Sequence, residues 1–198
     1  MLGDVVPGKL VRSGDVQVGD VIVLTKGVAV EGTAIMARER EQELAALFSH
    51  TFLERCKAFL HDPGISVVRD ARVAAAAAPL HAMHDPTEGG VATGLWELAL
   101  ASGIGLEVDG PSIPVFDETR QLCDALGLDP LGVIASGALL VAVSEEDVDS
   151  VCAVLTAAGI ATAPIARAVP SEQGCVLSTS HGALPLPRYD QDEIAGLF

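Results

Sequence analysis

A chain of 198 residues, 49% of them hydrophobic, is long enough for one large domain or two small ones and has the means to bury a sizeable core, which excludes intrinsic disorder. Aromatic residues make up only 4%, so that core is built mainly from Ala, Val, Leu and Ile. The formal net charge of −15 argues against nucleic acid or an anionic membrane surface as a partner, because both select clustered Lys and Arg.

In chain order, residues 4–18 read as an extended ribbon with turns at Pro7-Gly8 and Ser13-Gly14-Asp15. Residues 21–25, a short apolar run behind Gly19-Asp20, predict a buried strand, and residues 26–32 a loop. A long helical pattern covers 33–60 and stops at Asp62-Pro63-Gly64. Residues 65–68 form a short strand or a lead-in to an Ala-rich helix over 70–78, ended by Pro79. Residues 80–83 are a strand, 90–101 a helix closed by Ser102-Gly103, and 106–108 a strand. Asp117 caps a helix that Gly127 stops near residue 126. Residues 138–143 are the most apolar strand. Behind them Ser144 to Asp147 form a variant capping box opening a helix to about 158. Segments 160–162, 165–169 and 175–178 are short strands, His181-Gly182 a turn, and 190–198 a terminal helix. Strands and helices interleave without a strict parallel rhythm, so the fold class is α+β, a mixed sheet flanked by helices.

Cys56, Cys123, Cys152 and Cys175 lie far apart with no C-x-x-C spacing, which points to reduced thiols of a cytoplasmic protein rather than a zinc or redox pair. The apolar run 73–80 is too short to span a bilayer, and the first residues carry no targeting pattern. His81 and His84 fall on a strand entering a loop, where their spacing does not favour a shared metal. Neither a Walker-type phosphate loop nor a G-x-S-x-G elbow is present.

Chemistry concentrates in three glycine-containing turns: Thr25 to Gly32, Asp85 to Gly90, and Ile134 to Gly137. In the second, Asp85 or Thr87 is expected to cap the following helix, Pro86 suits a first turn, and Gly89-Gly90 admit a close backbone or ligand. If the three turns converge, their backbone N–H groups form an anion pocket to which Lys26 adds charge. The alternative is three ordinary turns and a tightly packed helix.

Asp85-Pro86-Thr87-x-Gly89-Gly90, with Ala92-Thr93-Gly94-Leu95-Trp96-Glu97-Leu98-Ala99 and Ser102-Gly103 behind it, resembles the C-terminal domain of the aminoimidazole ribonucleotide (AIR) synthetase-related superfamily, nearest its HypE-like branch of hydrogenase expression/formation proteins. Gly19 to Gly27 and Glu31-Gly32-Thr33-Ala34-Ile35 are similar to the start of that domain. Leu128-Asp129-Pro130-Leu131 and Ser136 to Val143 are similar to its later strand. The resemblance implies an AIR synthetase C-terminal fold over 19–198, with 1–18 the remnant last strand of a mostly absent N-terminal ATP-binding domain. For an intact protein it implies ATP and Mg2+, held mainly by that other domain. It also implies a homodimer and phosphoryl activation of an amide or carbonyl-type oxygen, such as a carbamoyl substrate in hydrogenase maturation.

Carried over residue by residue, the substrate- or nucleotide-binding candidates are Lys26, Gly32, Asp85, Thr87, Glu88, Gly89, Gly90, Ser136 and Gly137; catalytic residues and metal ligands are not assigned. Two features depart from the HypE pattern. The chain ends Ala195-Gly196-Leu197-Phe198 without a terminal cysteine, and Glu88 stands where HypE types often carry Arg. The expectation is an inert half of an ATP-dependent enzyme. A non-catalytic binding or dimerisation module and a small-molecule kinase of the thiamine-phosphate type are the competing readings.

Overall fold

The computed structural model describes Gly8 and residues 10–197, so the first part of the expected ribbon and Phe198 lie outside the described residues. Seven strands form one mixed sheet in the order β2-β4-β1-β5-β3-β6-β7. They are β1 (Val21–Thr25), β2 (Ala82–His84), β3 (Gly105–Asp109), β4 (Leu140–Val143), β5 (Thr162–Val169), β6 (Cys175–Thr179) and β7 (Gly182–Pro185). The helices are α1 (Val30–Glu39), α2 (Glu41–Leu44), α3 (His50–Ala58), α4 (Val68–Ala77), α5 (Gly90–Ser102), α6 (Asp117–Leu126) and α7 (Val148–Ala157). The class is α+β, as the interleaved pattern indicates.

Both faces of β1 and β4 are buried, which is why their sequences are continuously apolar. Ile22, Leu24, Leu140 and Ala142 point into the main core with Leu53, Leu95, Leu98 and Leu122. Val23, Val141 and Val143 point the other way, into a second core closed by Val151 and Leu155 of α7 and Ala74 of α4. Among the described residues no helix is long and apolar enough to cross a membrane.

Several expected elements change. No strand precedes β1 among the described residues; positions 10–20 run irregularly, with turns at Ser13-Gly14 and Val18-Gly19. The helix expected over 33–60 is three helices. α1 begins at Val30, so Gly32 sits inside its first turn rather than in a loop. Arg40 leaves helical geometry at φ −111°, Leu44 buries as the anchor of α2, and the Ser49 hydroxyl then caps a new helix by accepting from the Phe52 N–H at 3.3 Å. A distinct cap restarts a helix where periodicity alone reads through. Asp117 is the first residue of α6, whose cap position is Phe116.

The two strands expected on either side of Pro164 are one strand, β5, lying between β1 and β3. Its register opposite β1 skips Ile165, since Ile22 faces Ala166 and Val23 faces Pro164. A bulge is one of the few places where an interior strand tolerates a residue without an N–H. The terminal helix expected over 190–198 is a single 3-10 turn, Glu193–Leu197.

β2 and β1 both run antiparallel to β4, which lies between them. The carboxyl ends of β1 and β2 and the amino end of β4 therefore meet at one edge, and the helices that follow β1 and β2 start there. Leu140 is fully buried in the main core against both neighbours. Leu140→Ala is expected to destabilise the chain by about 2–5 kcal/mol, read as a fall in urea midpoint at unchanged m.

Candidate functional site

The three glycine-containing turns converge at this edge. The Glu31 N–H donates to Ser136 O at 3.2 Å, Gly32 N–H to Ile134 O at 3.3 Å, and Ala135 N–H to Thr87 O at 3.1 Å. The same bonds show how the edge is spent. The first-turn amides of α1 are taken by carbonyls of the 134–136 turn rather than left open to a ligand.

α5 is closed in a similar way. Its cap position is Gly89, with φ 72°, and no side chain from the preceding turn caps it. The Thr87 hydroxyl donates instead to Asp85 O at 3.3 Å. The cap expected from Asp85 or Thr87 comes from far along the chain. Asp192 accepts from Gly89 N–H at 2.8 Å through one carboxylate oxygen and from Ile134 N–H at 3.2 Å through the other. A carboxylate at a helix N-terminus is favoured by the dipole and the free amides, and Asp192 supplies it where a bound anion would otherwise fit. Pro86 is not a first-turn residue either; it is buried, and a Cβ on Gly94 would stand 2.6 Å from its own Cβ.

Gly89 and Gly90 accept the chain's own backbone. A Cβ at Gly90 would lie 2.2 Å from Leu131 O, and one at Gly89 would lie 2.9 Å from Tyr189 O; both residues have positive φ. Gly32 is equally crowded, with Val133 Cγ1 at 2.2 Å from a Cβ built there.

Lys26 turns away from the pocket it was expected to charge. It is 7% exposed and adopts φ 59°. Its ammonium donates to Gly137 O at 2.8 Å, Ser66 O at 2.9 Å and Gly64 O at 3.2 Å, and pairs with Asp70 at 3.1 Å. The buried Asp70 carboxylate also accepts from the Thr25 hydroxyl at 2.8 Å. Ser136 is half-buried beside Gly137, whose carbonyl Lys26 holds.

What remains open at the edge is acidic and hydroxylic: Asp85, Thr87 and Glu88 are exposed, and Glu31 is half-buried at the start of α1. Although Asp85 is exposed as a residue, partial desolvation of its carboxyl pushes its pKa up. The nearby Glu31 charge adds to this, and His84 and Lys26 oppose it. Glu31 is a candidate missing from the residues singled out by sequence; it stood there only as part of the family-like segment Glu31 to Ile35, in what read as a loop, and the structure puts it in the first turn of α1.

His84 pairs with Glu97 at 2.7 Å and His81 with the buried Asp20 at 2.8 Å, so the two histidines share no site. Burial pushes Cys56 and Cys123 up to about 12, which leaves both as neutral thiols. Among the described residues one group brings histidine and carboxylates together: Glu41, His50 and Glu54, with ligand atoms within 4.8 Å of one another. It lies on α2 and α3, away from the three turns, and Lys57 already bridges its two carboxylates at 2.6 and 2.9 Å.

The model of the family "AIR synthase related protein, C-terminal domain" matches residues 17–176. Carbamoyl dehydratase HypE of Rhizobium leguminosarum bv. viciae is 34% identical over 146 residues, which are 74% of this chain and 39% of that protein. The chain thus spans well under two-thirds of the length of this relative. Among solved structures, the hydrogenase maturation protein HypE in complex with ATP superposes with TM-score 0.71 at 24% identity, over 96% of this chain and 56% of that one. Thiamine-monophosphate kinase from Stenotrophomonas maltophilia gives TM-score 0.67 at 21% identity, over 87% and 54%. These two likenesses establish the fold.

Two substitutions test the edge. Lys26→Met strands a buried Asp70 and is expected to cost about 3–5 kcal/mol, most of it regained in Lys26→Met/Asp70→Leu, by chemical denaturation. Asp192→Ala uncaps α5 and is expected to cost about 1 kcal/mol and to speed hydrogen exchange at Gly89 and Ile134.

Proposed function

The chain belongs to the AIR synthase-related family through its C-terminal domain, and on that premise we propose that residues 19–198 form half of a HypE-like, ATP-dependent enzyme. The intact enzyme would activate an amide or carbonyl-type oxygen by phosphorylation, with a carbamoyl-type substrate the first candidate. Support comes from the family match, the HypE relative named carbamoyl dehydratase, and the HypE fold solved with ATP. Homodimerisation and a cytoplasmic setting belong to the same proposal and rest on the family resemblance.

The observation that carries the half-site reading is the state of the edge. The Glu31 and Gly32 amides of α1 are held by Ser136 O and Ile134 O, the Ala92 amide of α5 by Leu131 O and the Gly89 amide before it by Asp192; Lys26 is buried in its own ion pair, and the open groups are the carboxylates of Asp85, Glu31 and Glu88. Such a donor set does not fit bare phosphates, which need free N–H groups or cations. It does fit Mg2+, a hard cation that takes carboxylate oxygens. Asp85 and Glu31 would hold the ion, which when bound neutralises phosphate charge. In this arrangement the triphosphate takes its remaining donors from groups outside residues 10–197, as the resemblance to a two-domain enzyme implies.

Within the chain, the proposed roles divide. Asp85, Glu31 and Glu88 set the negative field, and Thr87 and Ser136 offer hydroxyls to the acceptor. Lys26, Gly32, Gly89, Gly90 and Gly137 bring the three turns together. Desolvation raises the Asp85 pKa, and a cation held there would lower it. A raised folded-state pKa favours the protonated form, so any stability from Asp85 is present at low pH and is lost as pH rises through that pKa.

The purified chain is expected to turn over no ATP. Mn2+, standing in for Mg2+, should broaden NMR signals around Asp85 and Glu31, and Asp85→Asn should abolish that broadening. ATP turnover by this chain alone, or broadening unchanged in Asp85→Asn, would overturn the half-site reading.

A further inference from the structure

The two faces of the sheet are covered unequally. The main core covers one face along its length, while α4 and α7 cover only part of the other, over Val23, Val141 and Val143. Beyond them the second face of β3 and β6 is bare. Leu106 and Val108 of β3 are buried in the main core, and the alternating Glu107 and Asp109 point outward and are exposed. A groove of about 590 Å³ runs here between α7 and β3. It crosses β1, β5, β3 and β6, four strands spaced about 4.8 Å apart, so it is about 14 Å long.

Its chemistry is one-sided. The floor is apolar, from Val21 and Pro164, and the walls carry Glu107, Asp109, Glu145 and Asp149. Arg167 is the one cation on the lining, and it is committed: its two terminal nitrogens reach the two Glu145 oxygens at 3.0 and 2.5 Å. The groove therefore already seats one guanidinium in the forked geometry that carboxylates prefer.

We propose that this uncovered sheet face is a docking groove for an extended, arginine-bearing segment of a partner protein. At about 3.4 Å per residue, four residues of extended chain span it. Arginine stems lie on the Val21 and Pro164 floor while their heads meet the carboxylates on the walls, the usual way a long cationic side chain divides its surface. Arginine is favoured over lysine because the planar fork engages a carboxylate with two bonds. The surface lies on the opposite side of the sheet from the α1 and α5 helices, so it is independent of the function proposed above.

The test is fluorescence polarisation of a labelled seven-residue peptide, Ala-Arg-Ala-Arg-Ala-Arg-Ala, against the full chain at low and physiological salt. The same peptide with citrulline for arginine is the control. The arginine peptide is expected to bind and to weaken with salt, and the citrulline peptide to bind far less. Glu107→Gln/Asp109→Asn should weaken binding about fivefold, the scale of two exposed ion pairs. Ser178→Trp fills the groove while leaving every charge in place, and should abolish binding. Glu39→Gln/Asp124→Asn removes the same charge elsewhere and should leave binding unchanged. Absence of binding, equal weakening by the two charge-removing pairs, or full binding by Ser178→Trp would overturn the proposal.

Discussion

The edge where the three turns meet depends on one buried ammonium. Lys26 follows β1 in a left-handed conformation and reaches across to Gly64 O, Ser66 O, Gly137 O and the Asp70 carboxylate. An ammonium has three hydrogens to donate, and here four acceptors surround it, so none of its hydrogens lacks a partner. The carboxylate is held in turn by the Thr25 hydroxyl, which also accepts from Leu139 N–H at 3.1 Å. One charge pair thus ties the end of β1, the entry to β4 and the approach to α4. A pair of this kind contributes little beyond what an apolar replacement would, but half of it is costly to leave behind. Its value is in register: it fixes where the turns before α1 and β4 sit relative to each other, and so where the first-turn amides of α1 find their carbonyls.

The elements that were legible in the sequence are those specified locally. β1 and β4 are short apolar runs between turn signals, and α5 and α6 end at Gly103 and Gly127, both left-handed as a C-cap requires. The features that were missed are decided by tertiary contacts. Periodicity runs through residues 40–49 because Leu44 and Phe52 still match an apolar stripe, while the break is set by the Arg40 geometry and the Ser49 cap. Pro164 reads as a strand end until the bulge opposite β1 accommodates it.

The site divides along the same line. That Asp85 to Gly90 is a structured turn is legible; whether it meets the other two is not, because spacing alone leaves three ordinary turns equally open. That Asp192, 103 residues beyond Gly89, would cap α5 was not, because no spacing rule connects them. Nor does a sequence tell whether a glycine makes room for a ligand or for the chain itself. At Gly90 the answer is Leu131 O, and at Gly89 it is Tyr189 O and the Thr93 side chain. The surroundings of Lys26 are equally a tertiary matter: nothing near it in sequence announces the carbonyls of Gly64, Ser66 and Gly137 that its ammonium meets.

Charge explains why internal capping matters here. With 27 acidic residues against 12 basic ones, a chain with open helix N-termini would still present a repulsive field to any free anion. Asp192 and the carbonyls of Ile134 and Ser136 take up those amides, and what is left exposed around them is carboxylate. An edge in that state attracts cations. Phosphate chemistry at it requires positive charge brought from elsewhere, as a metal ion on Asp85 and Glu31 or as donors on another polypeptide surface. Desolvation of its carboxyl is the main reason the Asp85 pKa is raised; the like charge at Glu31 adds a smaller part, which an arriving cation would offset. A proton and a cation therefore compete for the Asp85 carboxylate at this edge.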